Sequence, residues 1–166
     1  MKKLALAAVL AFLAAPLAAR DSLGVFGEWG AFRDPSTPRC YAITAAEIAP
    51  RSGPSQRTQA PFASIGTWPR RNVRGQVHLR LSRTTAQSAA ISLSVGTQRF
   101  ALTGGGGDAW AQDRRMDAAI VAAMRSAGSM SVSARDRAGN RFTDRYSLDG
   151  AATAMDAATV GCARIR

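Results

Sequence analysis

Residues 130–148 read MSVSARDRAGNRFTDRYSL. Met130, Val132 and Ala134 alternate with Ser131, Ser133 and Arg135, which is the period-2 signature of a strand with one apolar and one wet face. Residues 136–140 contain Gly139-Asn140, a turn signal, and residues 142–148 return as the partner strand. On that return strand Phe142, Asp144, Tyr146 and Leu148 share a face. Asp144 is therefore expected to be buried, in need of an Arg or of backbone donors. A structural ion pair explains it more simply than a functional acid.

Working upstream, Ile91, Leu93 and Val95 alternate with Ser92 and Ser94, and Gly96-Thr97 turns the chain into residues 98–103, a second hairpin. Val77, Leu79 and Leu81 alternate with His78, Arg80 and Ser82. Residues 25–32, with Phe26, Trp29 and Phe32, read as one aromatic strand. Residues 39–44 read as another, after a turn over 34–38. Residues 49–60, rich in Pro, Ser, Arg and Gln, read as a surface loop, and Gly104 to Gly107 as a flexible connector. Met116, Ile120, Ala123, Met124 and Ala127 recur at helical spacing, with Asp113 as cap, Asp117 in the first turn and Gly128 at the end. A final helix begins near Asp149, with Ala152, Met155, Thr159 and Cys162 on one face. The fold class that follows is mainly β: an antiparallel sandwich- or barrel-like domain with two helices in its C-terminal half. Strand number and order are not fixed by these patterns.

Residues 1–19 have the form of a signal peptide. Lys2 and Lys3 precede an apolar run over residues 4–15, which is too short for a bilayer span of ~20 residues. Cleavage after Ala19 leaves residues 20–166 as one domain. Removing Lys2 and Lys3 takes the 22 basic residues to 20, against 11 acidic ones, a net charge of +9. Every remaining basic residue is Arg, whose planar fork pairs bidentately with phosphate or carboxylate. A GC-rich genome would produce the same bias. A basic exported domain meets anionic lipid, lipopolysaccharide or another envelope protein, and export removes it from nucleic acid. Two cysteines, Cys40 and Cys162, are an even count in an exported chain and are expected to pair.

Little in the chain points to catalysis. His78 is the only histidine, so a cluster of histidines around a metal is excluded. The four glycines of residues 104–107 lack the Lys and Ser/Thr of a phosphate loop. Asp108, Asp113 and Asp117 are too few oxygen ligands for calcium, and helix entry explains the last two. No catalytic residue, metal or cofactor is expected. Trp29 and Trp110 read as core anchors; Trp68, in a turn-like stretch with Arg70 and Arg71, is the aromatic most suspected of exposure. Arg135, Arg137, Arg141 and Arg145 surround one hairpin turn, as a solvated face or as an anion-binding patch.

Trp110 and Asp113 ahead of a helix, Ala123-Met124-Arg125 within it, and Asp144-x-Tyr146-Ser147-Leu148-x-Gly150 with Cys162 resemble the invasion-associated locus B family. Trp29, residues 40–43 and residues 100–102 fit its earlier part. The chain departs from the family pattern at Ala151, where a large apolar residue is usual, and at Arg74-Gly75-Gln76. The resemblance implies a β-rich exported protein of the periplasm or outer membrane of Gram-negative bacteria, acting by binding, with no catalytic residues to transfer. The alternatives are a small periplasmic hydrolase with an Asp-centred cleft, which needs Asp108, Asp113 or Asp144 beside a second polar group, or a structural partner of an outer-membrane assembly.

Overall fold

Alternation of apolar and polar residues produces ten antiparallel strands in the computed structural model, which describes residues 20–47 and 59–163. In chain order these are β1 (Asp21–Phe26), β2 (Trp29–Asp34), β3 (Arg39–Ala45), β4 (Phe62–Trp68), β5 (Val73–Arg80), β6 (Ile91–Val95), β7 (Gln98–Gly105), β8 (Asp108–Trp110), β9 (Ser129–Arg135) and β10 (Arg141–Ser147). Helix α1 (Arg114–Met124) lies between β8 and β9, and α2 (Ala151–Ala163) ends the described chain. The strands hydrogen-bond in the order β1-β2-β3-β4-β5-β8-β7-β6-β9-β10. The signal-peptide segment and most of the expected loop over 49–60 lie outside the described residues.

Strand β7 is where the sheet divides. Gln98 to Leu102 pair with β6, whereas Thr103 to Gly105 pair with β8, so one strand serves both halves. The inward faces of the two halves enclose Leu79, Leu81, Leu93, Val95 and Val132, all nearly solvent-free. Helix α1 adds Ile120 and Met124 to that core and packs on β5, β6 and β7; α2 packs on β1 to β4. The sheet is not closed, and loops tie its halves together: Glu47 N donates to the Arg145 carbonyl at 2.8 Å, and Ala86 N to the Arg135 carbonyl at 3.1 Å.

Residues 144–150 form the junction between the β10 end and the rest. Tyr146 is fully buried, Ser82 N donates to Asp144 Oδ2 at 2.8 Å, and Leu148 N donates to the Gly128 carbonyl at 3.0 Å. Gly150 has φ +80°, and a Cβ there would run into the Phe26 carbonyl, so only glycine allows α2 to start against the β1–β2 turn. Ala151 follows with no exposure at all. The second anchor is covalent: Cys40 and Cys162 form a disulfide with Cα atoms 5.6 Å apart, joining β3 to α2.

Several local expectations change. Residues 25–32 are not one strand: Gly27, at φ +53°, turns β1 into β2. Trp68 closes β4 rather than sitting in a turn, and the turn is the short 3-10 segment Pro69–Arg71. Gly104 and Gly105 belong to β7 and pair with Ala109 and Asp108, so the glycine run is a tight hairpin rather than a flexible connector. A Cβ on Gly104 would collide with the Asp108 backbone, which explains the glycine. Helix α1 ends at Met124, before Gly128. The buried face of α2 is Ala151, Ala154, Met155, Ala158 and Cys162, rotated from the expected one, with Thr159 exposed.

Candidate anion-binding site

The outward registers of β6, β7, β9 and β10 make a face of serines, threonine and arginines. Because alternate residues point to opposite sides of a strand, burying Leu93, Val132, Ala134 and Phe142 forces Ser92, Ser94, Ser131, Ser133, Arg135, Arg141, Thr143 and Arg145 outward. The pairing sets them in rows. Arg135 lies opposite Arg141; Ser92, Ser133 and Thr143 form the next row; Arg99, Ser94, Ser131 and Arg145 form the third. Ser133 Oγ and Thr143 Oγ1 are hydrogen-bonded at 2.8 Å. A groove of about 350 Å³ runs over this surface, lined by Arg99, Arg135 and Arg141, by Ser92, Ser94 and Ser133, and by three alanines. None of its lining residues is acidic.

The nearby carboxylates are committed elsewhere. Asp136 begins the β9–β10 turn and pairs with Arg83 Nη1 at 2.9 Å while accepting from Ala138 N and Asn140 N. Burial pushes its pKa up, but Arg83 and those two N–H groups outweigh it, and the net shift is downward. Asp144 faces the core and takes the Ser82 N–H.

Of the four arginines expected around the turn, three are at it and Arg145 stands apart along β10. Arg135 and Arg141 face each other beside the groove, and Arg135 Nη1 donates to the Gly139 carbonyl at 2.7 Å. Arg137 sits in the turn, and Arg145 lies four residues along β10 from Arg141, ~13 Å away. Arg99 was not among the candidates. The two-residue turn after Val95 places it opposite Ser94, but its proximity to β9 depends on β6 pairing with β9, across an intervening hairpin and helix.

A second polar cluster occupies the outer face of β4, β5 and β8. His78 Nε2 lies 2.7 Å from Asp108 Oδ1, and Arg80 Nε lies 3.0 Å from the same oxygen. The imidazole stacks on Trp110 at 5.2 Å between centroids and meets Phe62 edge-on at 5.3 Å. Trp110 is therefore a half-buried outer-face residue, since its register opposite His78 turns it away from the core. Trp29 does lie in the core, fully buried. Asp113 and Asp117 stand at separate junctions: Asp113 Oδ1 caps α1 by accepting from Met116 N at 2.8 Å, and buried Asp117 accepts from Val77 N at 2.8 Å. Burial pushes the Asp117 carboxyl above its ordinary pKa. Among the described residues no three His, Cys, Asp or Glu side chains gather as a metal site. No helix among them is long and apolar enough to cross a membrane.

No protein-family model and no curated protein matches the chain. A solved structure does: the crystal structure of invasion associated protein b from Bartonella henselae superposes with a TM-score of 0.57, covering 82% of this chain and 95% of that one. The fold is shared. At 15% identity the likeness reaches no further than the fold.

Proposed function

We propose that this chain is an exported protein of the bacterial envelope, periplasmic or associated with the outer membrane, that works by binding anionic envelope molecules and not by catalysis. The observation that carries the reading is the groove in which Arg99, Arg135 and Arg141 surround three serines with no acid in the lining. Guanidinium groups bind phosphate or carboxylate oxygens in pairs of parallel hydrogen bonds. Export is supported by the leader-like residues 1–19 and by the Cys40–Cys162 bond, which suits an oxidising compartment. The fold shared with invasion associated protein b is consistent with an envelope role. Anionic lipid and lipopolysaccharide are the partners favoured by charge; another envelope protein is the alternative, which cross-linking in cells would capture.

Flotation of the disulfide-bonded domain, residues 20–166, with phosphatidylglycerol vesicles and with phosphatidylcholine vesicles tests the binding reading. Binding to the former alone, weakening as salt rises, is expected. Equal binding to both, or to neither, overturns it.

One observation favours a second reading, a small periplasmic hydrolase. Asp108 has the second polar group such a site needs, because it holds His78 Nε2 at 2.7 Å. A carboxylate that orients an imidazole is the arrangement of a general base. Turnover of an ester, peptide, phosphate or glycan substrate, lost in His78→Gln with folding unchanged, would replace the binding reading by this one.

A further inference from the structure

Resting on the anion-binding role proposed above, we infer that the groove is a two-ended site for a disaccharide carrying a phosphate at each end. One end is the cross-strand pair Arg135 and Arg141; the other is Arg99. Registers fix their separation. Arg99 lies in the row of Ser94 and Ser131, four residues from Arg135 along the strands and two strands across. That offset is ~13 Å along and ~10 Å across in backbone terms, which the long arginine side chains shorten by reaching inward.

Between the two cationic ends the groove is lined by Ser92, Ser94 and Ser133 together with Ala89, Ala90 and Ala134. The serine hydroxyls both donate and accept, as sugar hydroxyls do, and the alanine methyls leave room for the C–H faces of a sugar ring. A volume of about 350 Å³ is on the scale of a disaccharide. A single compact anion meets one end only. A lipid phosphodiester likewise presents one charge to one end. Two phosphates joined by a hydroxyl-bearing spacer engage both ends, and joining them makes the second contact intramolecular. The same chemistry occurs on a membrane-anchored saccharide lipid and on a free sugar bisphosphate, so the two sources must be separated by experiment.

Calorimetric titration of the disulfide-bonded domain at 0.15 M salt would use four probes: a deacylated glucosamine disaccharide bisphosphate, its monophosphate, the acylated bisphosphate in phosphatidylcholine vesicles, and plain phosphatidylglycerol vesicles. The bisphosphate should bind at least about tenfold more tightly than the monophosphate, with or without acyl chains. Arg99→Gln should bring the bisphosphate down to the monophosphate's affinity while leaving the monophosphate unchanged. Arg141→Gln should weaken both, and circular dichroism should show both variants folded. Equal affinity for bisphosphate and monophosphate, or binding of the acylated form alone, overturns the two-ended site. Retained binding to phosphatidylglycerol in that case leaves the broader anion-binding role standing; loss of binding to every probe removes both.

Discussion

Trp29 Nε1 donates to the backbone carbonyl of Ser147 at 2.9 Å, across 118 residues of sequence. The bond joins the buried ring at the start of β2 to the last residue of β10. It closes the molecule at the point where the strand order leaves β1 and β10 as the two ends of the sheet.

Replacing Trp29 by Phe removes that donor, leaves part of the ring's volume empty and strands the Ser147 carbonyl. Urea unfolding should show a loss of about 2–4 kcal/mol. A loss below 1 kcal/mol would mean that the junction contributes little.

The Cys40–Cys162 bond joins residues separated by 122 positions. Closing a loop of that length restricts the unfolded chain by roughly 4–5 kcal/mol in the chain-entropy account. Equilibrium unfolding with and without reductant should show that difference, and Cys40→Ala with Cys162→Ala should reproduce the reduced protein. Unchanged stability on reduction contradicts it.

Asp117 is a buried acceptor whose charge is the unfavourable part. Its folded pKa is raised above the unfolded value of 3.8 by burial, so the folded state binds the proton more tightly. Stability therefore falls as pH rises from the unfolded value through the raised folded one, and stays reduced above it. Asp117→Asn keeps a carbonyl for Val77 N–H and removes the charge. The variant should be more stable than the parent at pH 7, with the gain disappearing at acid pH. Greater stability of the parent at pH 7 would show that the charge is favourable there.

The Asp136–Arg83 pair has the opposite sign. Its folded pKa is lowered, so its contribution is present above the unfolded value of 3.8 and is lost as pH falls through the folded one. Hydrogen exchange at Ala138 and Asn140, whose N–H groups donate to Asp136, should lose protection on acidification before the core does. Simultaneous loss would show that the turn opens only with global unfolding.

Where sequence patterns are long and regular, they were legible. The β9–β10 hairpin announces itself by seven-residue alternation on both sides of Gly139-Asn140, and Asp144 by its place between Phe142 and Tyr146. The pairing of Cys40 with Cys162 is legible from the even count behind a leader-like segment. Strand β8 escaped because three residues are too few to show a period, and without it Trp110 reads as core and the glycine run as a connector. The split at Gly27 escaped because aromatic residues continue across the turn. The groove was half legible: Arg135 and Arg141 come from one hairpin, but Arg99 joins them only through the β6–β9 pairing, which no local pattern encodes.

The proposed binding role of the groove is tested most directly by two charge reversals of equal size. Arg135→Glu with Arg141→Glu alters the groove; Arg70→Glu with Arg71→Glu alters an exposed basic pair in the turn after β4. Affinity for phosphatidylglycerol vesicles should fall at least about tenfold more for the groove pair at 0.15 M salt, because arginines held beside one another contact the anion while distant charges are screened beyond ~8 Å. Equal losses from both reversals would mean that net charge alone drives binding and that the groove is not a site.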